Sequence, residues 1–214
     1  MTESPSNARL EAFCDGVFAI AITLLVIDLR LEDPDRIAST REFWLALRNL
    51  LPSVFAFLLS FVIILITWAN HHAALKLVRG SSAAFSYANG LLLLTVVFIP
   101  FPTSLLGSFL WTDHAAPAVV LYNAVLAVQA IAWVVLSGTA LEGGLVAEGA
   151  ATARLRQNRR HGYAAIGFYS LLAVLAVWFA FVVAVVTTVL MLVWLAISIR
   201  MHRDPGALET ETSN

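Results

Sequence analysis

Charge is what this sequence has least of. Asp, Glu, Lys and Arg make up 13% of its 214 residues, against roughly 25% in a soluble domain. A water-facing globule built from it would have almost nothing to present to solvent, and a disordered chain needs the opposite composition. Thirteen basic residues are matched by fourteen acidic ones. The basic footprint that binds a phosphate backbone is therefore missing, and nucleic acid is excluded as a partner. Cysteine is nearly absent: Cys14 stands alone, which excludes an internal disulfide and any site built from several thiolates. There is no nucleophile elbow, phosphate-binding loop or His-Glu-x-x-His motif, so neither an enzyme site nor a cofactor is expected. His71 and His72 are adjacent. On a helix their rings diverge by about 100° and cannot both bind one metal. The Thr-Val-Gly-Tyr-Gly loop of a carbonyl filter is also missing, so any ion path here must be lined by side chains.

What is abundant is apolar surface, 60% of the residues. A bilayer core takes roughly 20 apolar residues as a helix. Leu50–Ala69, Ala83–Trp111 and Ala115–Leu141 each supply an uncharged run of sufficient length. Gly162–Ile199 is 38 residues without a charge, about 57 Å as one helix and too long for one crossing. It predicts two helices with a short turn near Ala180–Ala184. The first apolar run, Gly16–Ile27, has only twelve residues. Met1–Ala8 lacks the basic start of a signal peptide. The segment therefore predicts a first transmembrane helix near Arg9–Leu29 that carries ionisable residues in its opening turns. Lipid excludes an open sheet, and no ten-residue alternating segments suggest a barrel. The expectation is an all-α polytopic membrane protein: one domain of six transmembrane helices over residues 1–203, with a disordered cytoplasmic tail at 204–214.

Loop charges set the orientation. With the N-terminus inside, nine Lys and Arg fall on the cytoplasmic side: Arg9, Lys76, Arg79, Arg154, Arg156, Arg159, Arg160, Arg200 and Arg203. Arg30, Arg36, Arg41 and Arg48 fall outside. Nine against four predicts both termini in the cytoplasm.

Taking about 100° per residue from Ile20, Leu24 lies at 40°, Ile27 at −20° and Thr23 at −60°. Asp15 falls near −140°. One helix can thus turn Ile20, Leu24 and Ile27 one way and Asp15 the other. Such a stripe in a membrane helix ordinarily packs or meets lipid, and a charge this near a helix end ordinarily snorkels. Trp68, Asn70, His71 and His72 sit at the depth of Asp15, which also allows a satisfied polar cluster that Arg9 could join. Pro100 and Pro102 interrupt the third helix, and Thr103 or Ser104 can serve the freed carbonyls.

The segment from Arg9 to Leu25 resembles the first-helix signature of the lysosomal/endosomal transmembrane potassium channel family, in its prokaryotic branch. Arg9, Phe13 and Asp15 match the pattern Arg-x-x-x-Phe-Ser-Asp, with Cys14 in the serine position. Trp68-Ala69-Asn70-His71-His72 resembles the end of the family's second helix, and Asn89 and Pro100-Phe101-Pro102-Thr103 resemble its third. The resemblance runs by motif from Arg9 to about Leu106 and beyond that by helix count. It implies a homotetramer in a prokaryotic cell membrane, with potassium ions, lipid and other copies of the chain as partners. The first helices would line the pore, with an apolar constriction at Ile20, further layers at Leu24 and Ile27, and a contribution of the Thr23 hydroxyl to cation preference. Arg9, Phe13, Cys14 and Asp15 would pack against Trp68, Asn70 and His71. Conduction would be a passive, potassium-favouring leak with a hydrophobic gate. Potassium sheds its hydration shell more readily than sodium, and Asp28 and Glu32 near the outer mouth could supply a negative field. The rival reading is a proton-coupled or proton-leak transporter using Asp15 and His71; a third is a non-conducting membrane scaffold.

Overall fold

The computed structural model describes residues 5–31 and 37–203. The expected tail at 204–214 lies outside them, as do Glu32, Asp33, Asp35 and Arg36 of the first loop. Every regular element among the described residues is helical.

Helix α1, Pro5–Leu24, opens the chain and tightens into a 3-10 turn, Leu25–Asp28. The helix thus starts earlier than expected from the sequence, and its α geometry ends sooner. Tight last turns are common where terminal carbonyls lack partners. Helix α2, Thr40–Asn49, lies in what the sequence left as a loop. Its start is fixed by Ser39, whose side chain accepts from Glu42 N at 3.2 Å, while Glu42 Oε2 accepts from Ala38 N at 2.7 Å. This is a near relative of the capping box. None of its residues is buried.

Helix α3, Leu51–Leu75, carries Pro52 in its first turn, where no intrahelical N–H bond is lost. Helices α4, Ala83–Phe98, and α5, Pro100–Phe109, form one crossing interrupted at Ile99. Pro100 and Pro102 cannot donate to the carbonyls of Val96 and Phe98. Ile99 N bonds to Val96 O instead, at 3.2 Å, and the Thr103 hydroxyl donates to Ile99 O at 2.7 Å. Helix α6 spans Ala115–Glu142. The last segment, Ala150–Arg203, leaves helical geometry at Phe179 (φ −131°, ψ 46°). It therefore comprises α7 (150–178) and α8 (180–203). The two lie antiparallel, because His161 meets Trp194 at a ring distance of 5.6 Å and Tyr169 reaches Met191. The reversal falls one residue before the expected stretch.

Among the described residues, five segments are long and apolar enough to cross a membrane, the last being this hairpin. Helix α1 packs on α3 and α4, α5 on α3, and α6 on the 150–203 hairpin. An antiparallel bridge between Val78 and Val146, with Arg79 N bonded to Leu145 O at 2.8 Å, ties the α3–α4 loop to the α6–α7 loop. Both loops therefore lie at one end of the bundle, as alternate crossings require. Two close approaches depend on glycine. A Cβ at Gly107 would stand 2.8 Å from Ser53 Cα, where α5 meets α3, and one at Gly162 would stand 2.7 Å from Val134 Cγ2. Gly107→Ala should therefore overpack the α3–α5 contact, at about 1–3 kcal/mol, and lower the melting temperature in detergent. Gly167→Ala, which meets nothing within 4 Å, should leave it unchanged. Equal melting of the two variants would contradict this packing.

Candidate functional site

Helix α1 divides into two faces. Cys14, Phe18, Ala21 and Leu25 are buried against the bundle. Opposite them stands an unpartnered stripe: Ile20 is 58% exposed, Ile27 61% and Leu24 37%. Thr23 shares that side and donates its hydroxyl to Ile20 O at 2.8 Å, leaving its lone pairs outward. Ile27 belongs to the 3-10 turn, so its direction departs from α-helical spacing. Phe13 is 63% exposed and belongs to this stripe rather than to the polar cluster. The reason is spacing: seven residues before Ile20 is about 20° away on the helix.

The polar anchor is built around Asn89 of α4. His71 Nε2 donates to Asn89 Oδ1 at 2.7 Å, since an amide oxygen only accepts. The amide nitrogen of Asn89 donates to Cys14 Sγ at 3.2 Å. One buried side chain thus joins α1, α3 and α4. Beside it, Trp68 Nε1 donates to Asp15 Oδ1 at 2.8 Å. His72 Nδ1 lies 2.7 Å from Glu11 Oε1, an ion-pair distance rather than an aligned hydrogen bond. Phe18 and Trp133 flank the His71 ring at 5.4 and 6.3 Å. Asp15 and His71 are not bonded to each other; each holds a different partner.

Besides Phe13, two residues expected in the cluster lie elsewhere. Asn70 is two positions beyond Trp68, about 200° round the helix, and lines a cavity against α6, α7 and α8. Arg9 is exposed near the start of α1. Conversely, the role of Asn89 and the Glu11–His72 pair were not read from the sequence as part of the cluster. The same holds for two buried networks deeper in the bundle. Ser60 Oγ meets Thr103 Oγ1 at 2.6 Å and Tyr122 OH at 2.9 Å, and the Thr187 hydroxyl donates to Asn123 Oδ1 at 3.0 Å. Their only signal was polarity inside an apolar run, where an unpartnered group is costly.

These features define a multi-pass helical membrane protein whose first helix is held at a fixed rotation with one apolar face left free. The chain belongs to the TMEM175 family. The sequence profile described as endosomal/lysosomal potassium channel TMEM175 matches residues 9–100. The fold is similar to the crystal structure of a Chamaesiphon minutus homologue of the lysosomal potassium-selective channel TMEM175. The TM-score is 0.81 at 33% identity, over 91% of this chain and 99% of that one. A potassium channel of Chamaesiphon minutus is 45% identical over 134 residues, 61% of this chain and 66% of that protein. An endosomal/lysosomal proton channel TMEM175 of Gallus gallus is 31% identical over 119 residues, 53% of this chain and 24% of that protein. The chain spans less than two thirds of the length of the curated relatives it matches.

Asn89→Ala removes the acceptor of His71 and the donor to Cys14, leaving buried groups unpaired at about 1–3 kcal/mol. It should lower the melting temperature by several degrees. Cys14→Ser exchanges a weak sulfur acceptor for a stronger oxygen and should melt at or above the parent. If Asn89→Ala melts like the parent, this bridge does not hold α1.

Proposed function

We propose that this chain is a potassium-permeable channel and not an enzyme. It assembles as a homotetramer in a prokaryotic cell membrane, with six membrane crossings per subunit and both termini in the cytoplasm. The reading rests on the family and on the naming of relatives as potassium channels. The single observation that carries the pore assignment is the free stripe of α1. A helix with one face locked into the bundle and the other unpartnered is suited to line a shared axis. In this reading Ile20 forms the narrowest ring, Leu24 and Ile27 form further layers, and Thr23 offers the one hydroxyl near the constriction.

The mechanism follows from side-chain chemistry. An apolar ring gives a passing ion nothing to replace its water, so the barrier is set by how much hydration the ion must shed. Potassium, the more weakly hydrated cation, meets the lower barrier. Chloride must be repelled separately, and Asp28 at the end of the 3-10 turn stands where a negative field would do so. The anchor of Asn89, His71, Cys14, Asp15 and Trp68 acts as positioning machinery and holds α1 at its angle. A second reading, proton passage, is favoured by the name of the vertebrate relative.

In potassium-loaded liposomes, Ile20→Asn should ease wetting of the ring, raise cation flux severalfold and reduce discrimination between potassium and sodium. Parent-like rate and selectivity would place the gate elsewhere. Leu25→Asn, on the buried face, should instead lower thermal stability. Topology is checked by labelling: a cysteine replacing the exposed Asp113 should react from outside, and one replacing the exposed Gln157 from inside. Reaction of both from one side would overturn the six-crossing arrangement.

A further inference from the structure

Gln129 lies halfway along α6 and is 6% exposed, yet its Nε2 has no acceptor among the described residues. Buried amides without partners are rare in native proteins, and a membrane interior makes them costlier. The amide borders a partly open cavity of about 120 Å³ between α3, α6, α7 and α8. Its walls include Ile63, Leu126, Trp133, Met191 and Trp194, and among the described residues no Asp, Glu, Lys or Arg lines it. Two hydroxyls border it but send their protons elsewhere. Thr67 donates to Ile63 O at 2.8 Å, and Tyr169 to Met191 Sδ at 3.9 Å. The rim carries half-buried Asn70.

Three properties of an occupant follow. It is uncharged, because an ion would be stripped of water with no counter-charge in the walls. It bears a hydrogen-bond acceptor, because the unpaired group is an N–H donor. It is somewhat smaller than benzene or close to it, because an apolar cavity of about 150 Å³ holds benzene. A water could accept from Gln129 Nε2 and donate to the Thr67 or Tyr169 oxygen, but it would leave the apolar remainder of the cavity unfilled. We propose that this cavity is a binding site for a small neutral amphiphile, an apolar ring or short chain of about six heavy atoms with one acceptor, taken up from the lipid phase and held by Gln129 Nε2.

The site backs onto the helix that anchors α1. Ile63, Thr67 and Asn70 fall within about 60° of one another on α3, whereas Trp68 and His72, which hold Asp15 and Glu11, lie about 140–180° from Ile63. Occupancy therefore bears on the side of α3 opposite its ties to α1 and tunes ion flux. This last clause rests on the channel reading above; the binding site does not.

The test uses the purified full chain in detergent, melted with cyclopentanone, which has an acceptor, or with methylcyclopentane, which has none, at equal mole fraction; each has six heavy atoms. Cyclopentanone should raise the melting temperature saturably by about 2–4 °C, and methylcyclopentane should not. Gln129→Leu should abolish the difference. So should Ala165→Leu, which fills the cavity and keeps the amide, and which serves alone if the first variant fails to fold. Without probe, Gln129→Leu should melt at or above the parent, because an unpaired amide has been removed. Equal shifts from the two probes, or a difference that survives in a folded variant, would mean non-specific partitioning and overturn the site. A destabilised Gln129→Leu together with no probe effect on the parent would identify water as the occupant and also overturn it. In potassium-loaded liposomes cyclopentanone should change flux at least twofold in the parent and not in Ala165→Leu. An unchanged flux with the melting shift intact overturns the coupling alone. A parent that carries no flux overturns the channel reading and the coupling together, while the melting shift still decides the site.

Discussion

Asn89 is the side chain on which the arrangement turns. With one acceptor and one donor it holds His71 of α3 and Cys14 of α1, and it does so in a setting where water offers no competing partner. Two contacts from adjacent residues of α1, about 100° apart around its axis, Cys14 to Asn89 and Asp15 to Trp68, leave that helix little freedom to rotate. Cys14 lies about 120° from Ile20 around the helix. Fixing the one aims the other away from the bundle. Hydrophobic burial alone would not do this, because in lipid an apolar face gains little by choosing protein over acyl chains. The polar bonds supply the orientation, and the packing of Phe18, Ala21 and Leu25 fills the space behind them.

The same rule orders the rest of the bundle. Paired polar side chains in the interior tie helices to one another. Ser60 links α3 to α5 and α6 through Thr103 and Tyr122, and Thr187 links α8 to α6 through Asn123. Thr103 also serves a carbonyl beside the two prolines of the broken third crossing. Glycine does complementary work: at Gly107 and Gly162 the helices come within reach of backbone or methyl groups that a Cβ would strike. Close approach and paired polar groups are the two sources of helix association that remain when the solvent is hydrocarbon.

Much of the fold was legible because a membrane span has a length set by the bilayer. The apolar runs predicted the crossings, and the 38-residue run had to be divided. Its break fell at Phe179 rather than within Ala180–Ala184, because no glycine or proline marks it and only the length argument locates it. Helix α2 went unread although Ser39 and Glu42 are its capping signal; a span-length search passes over a ten-residue helix. The two faces of α1 were legible from spacing, since helical angle depends on sequence alone. Partners were not. Asn70 shares a pentapeptide with Trp68 and His71 but points about 200° from Trp68, and which neighbour stands there is a tertiary fact. Asn89, eighteen residues from His71 in sequence, gave no local sign that it would replace Asn70 as the cluster's amide.

In the proposed channel the free face of α1 meets its own copies around a common axis and lines the ion path there. The most direct measurement places a single cysteine on that face, Ile20→Cys in a Cys14→Ser background. Mild oxidation is followed by non-reducing electrophoresis, and potassium flux is recorded before and after cadmium. Disulfide-linked dimers and block of flux by cadmium are expected, with reversal of both on reduction and chelation. A protein that conducts potassium yet forms no crosslink and is untouched by cadmium would contradict this arrangement.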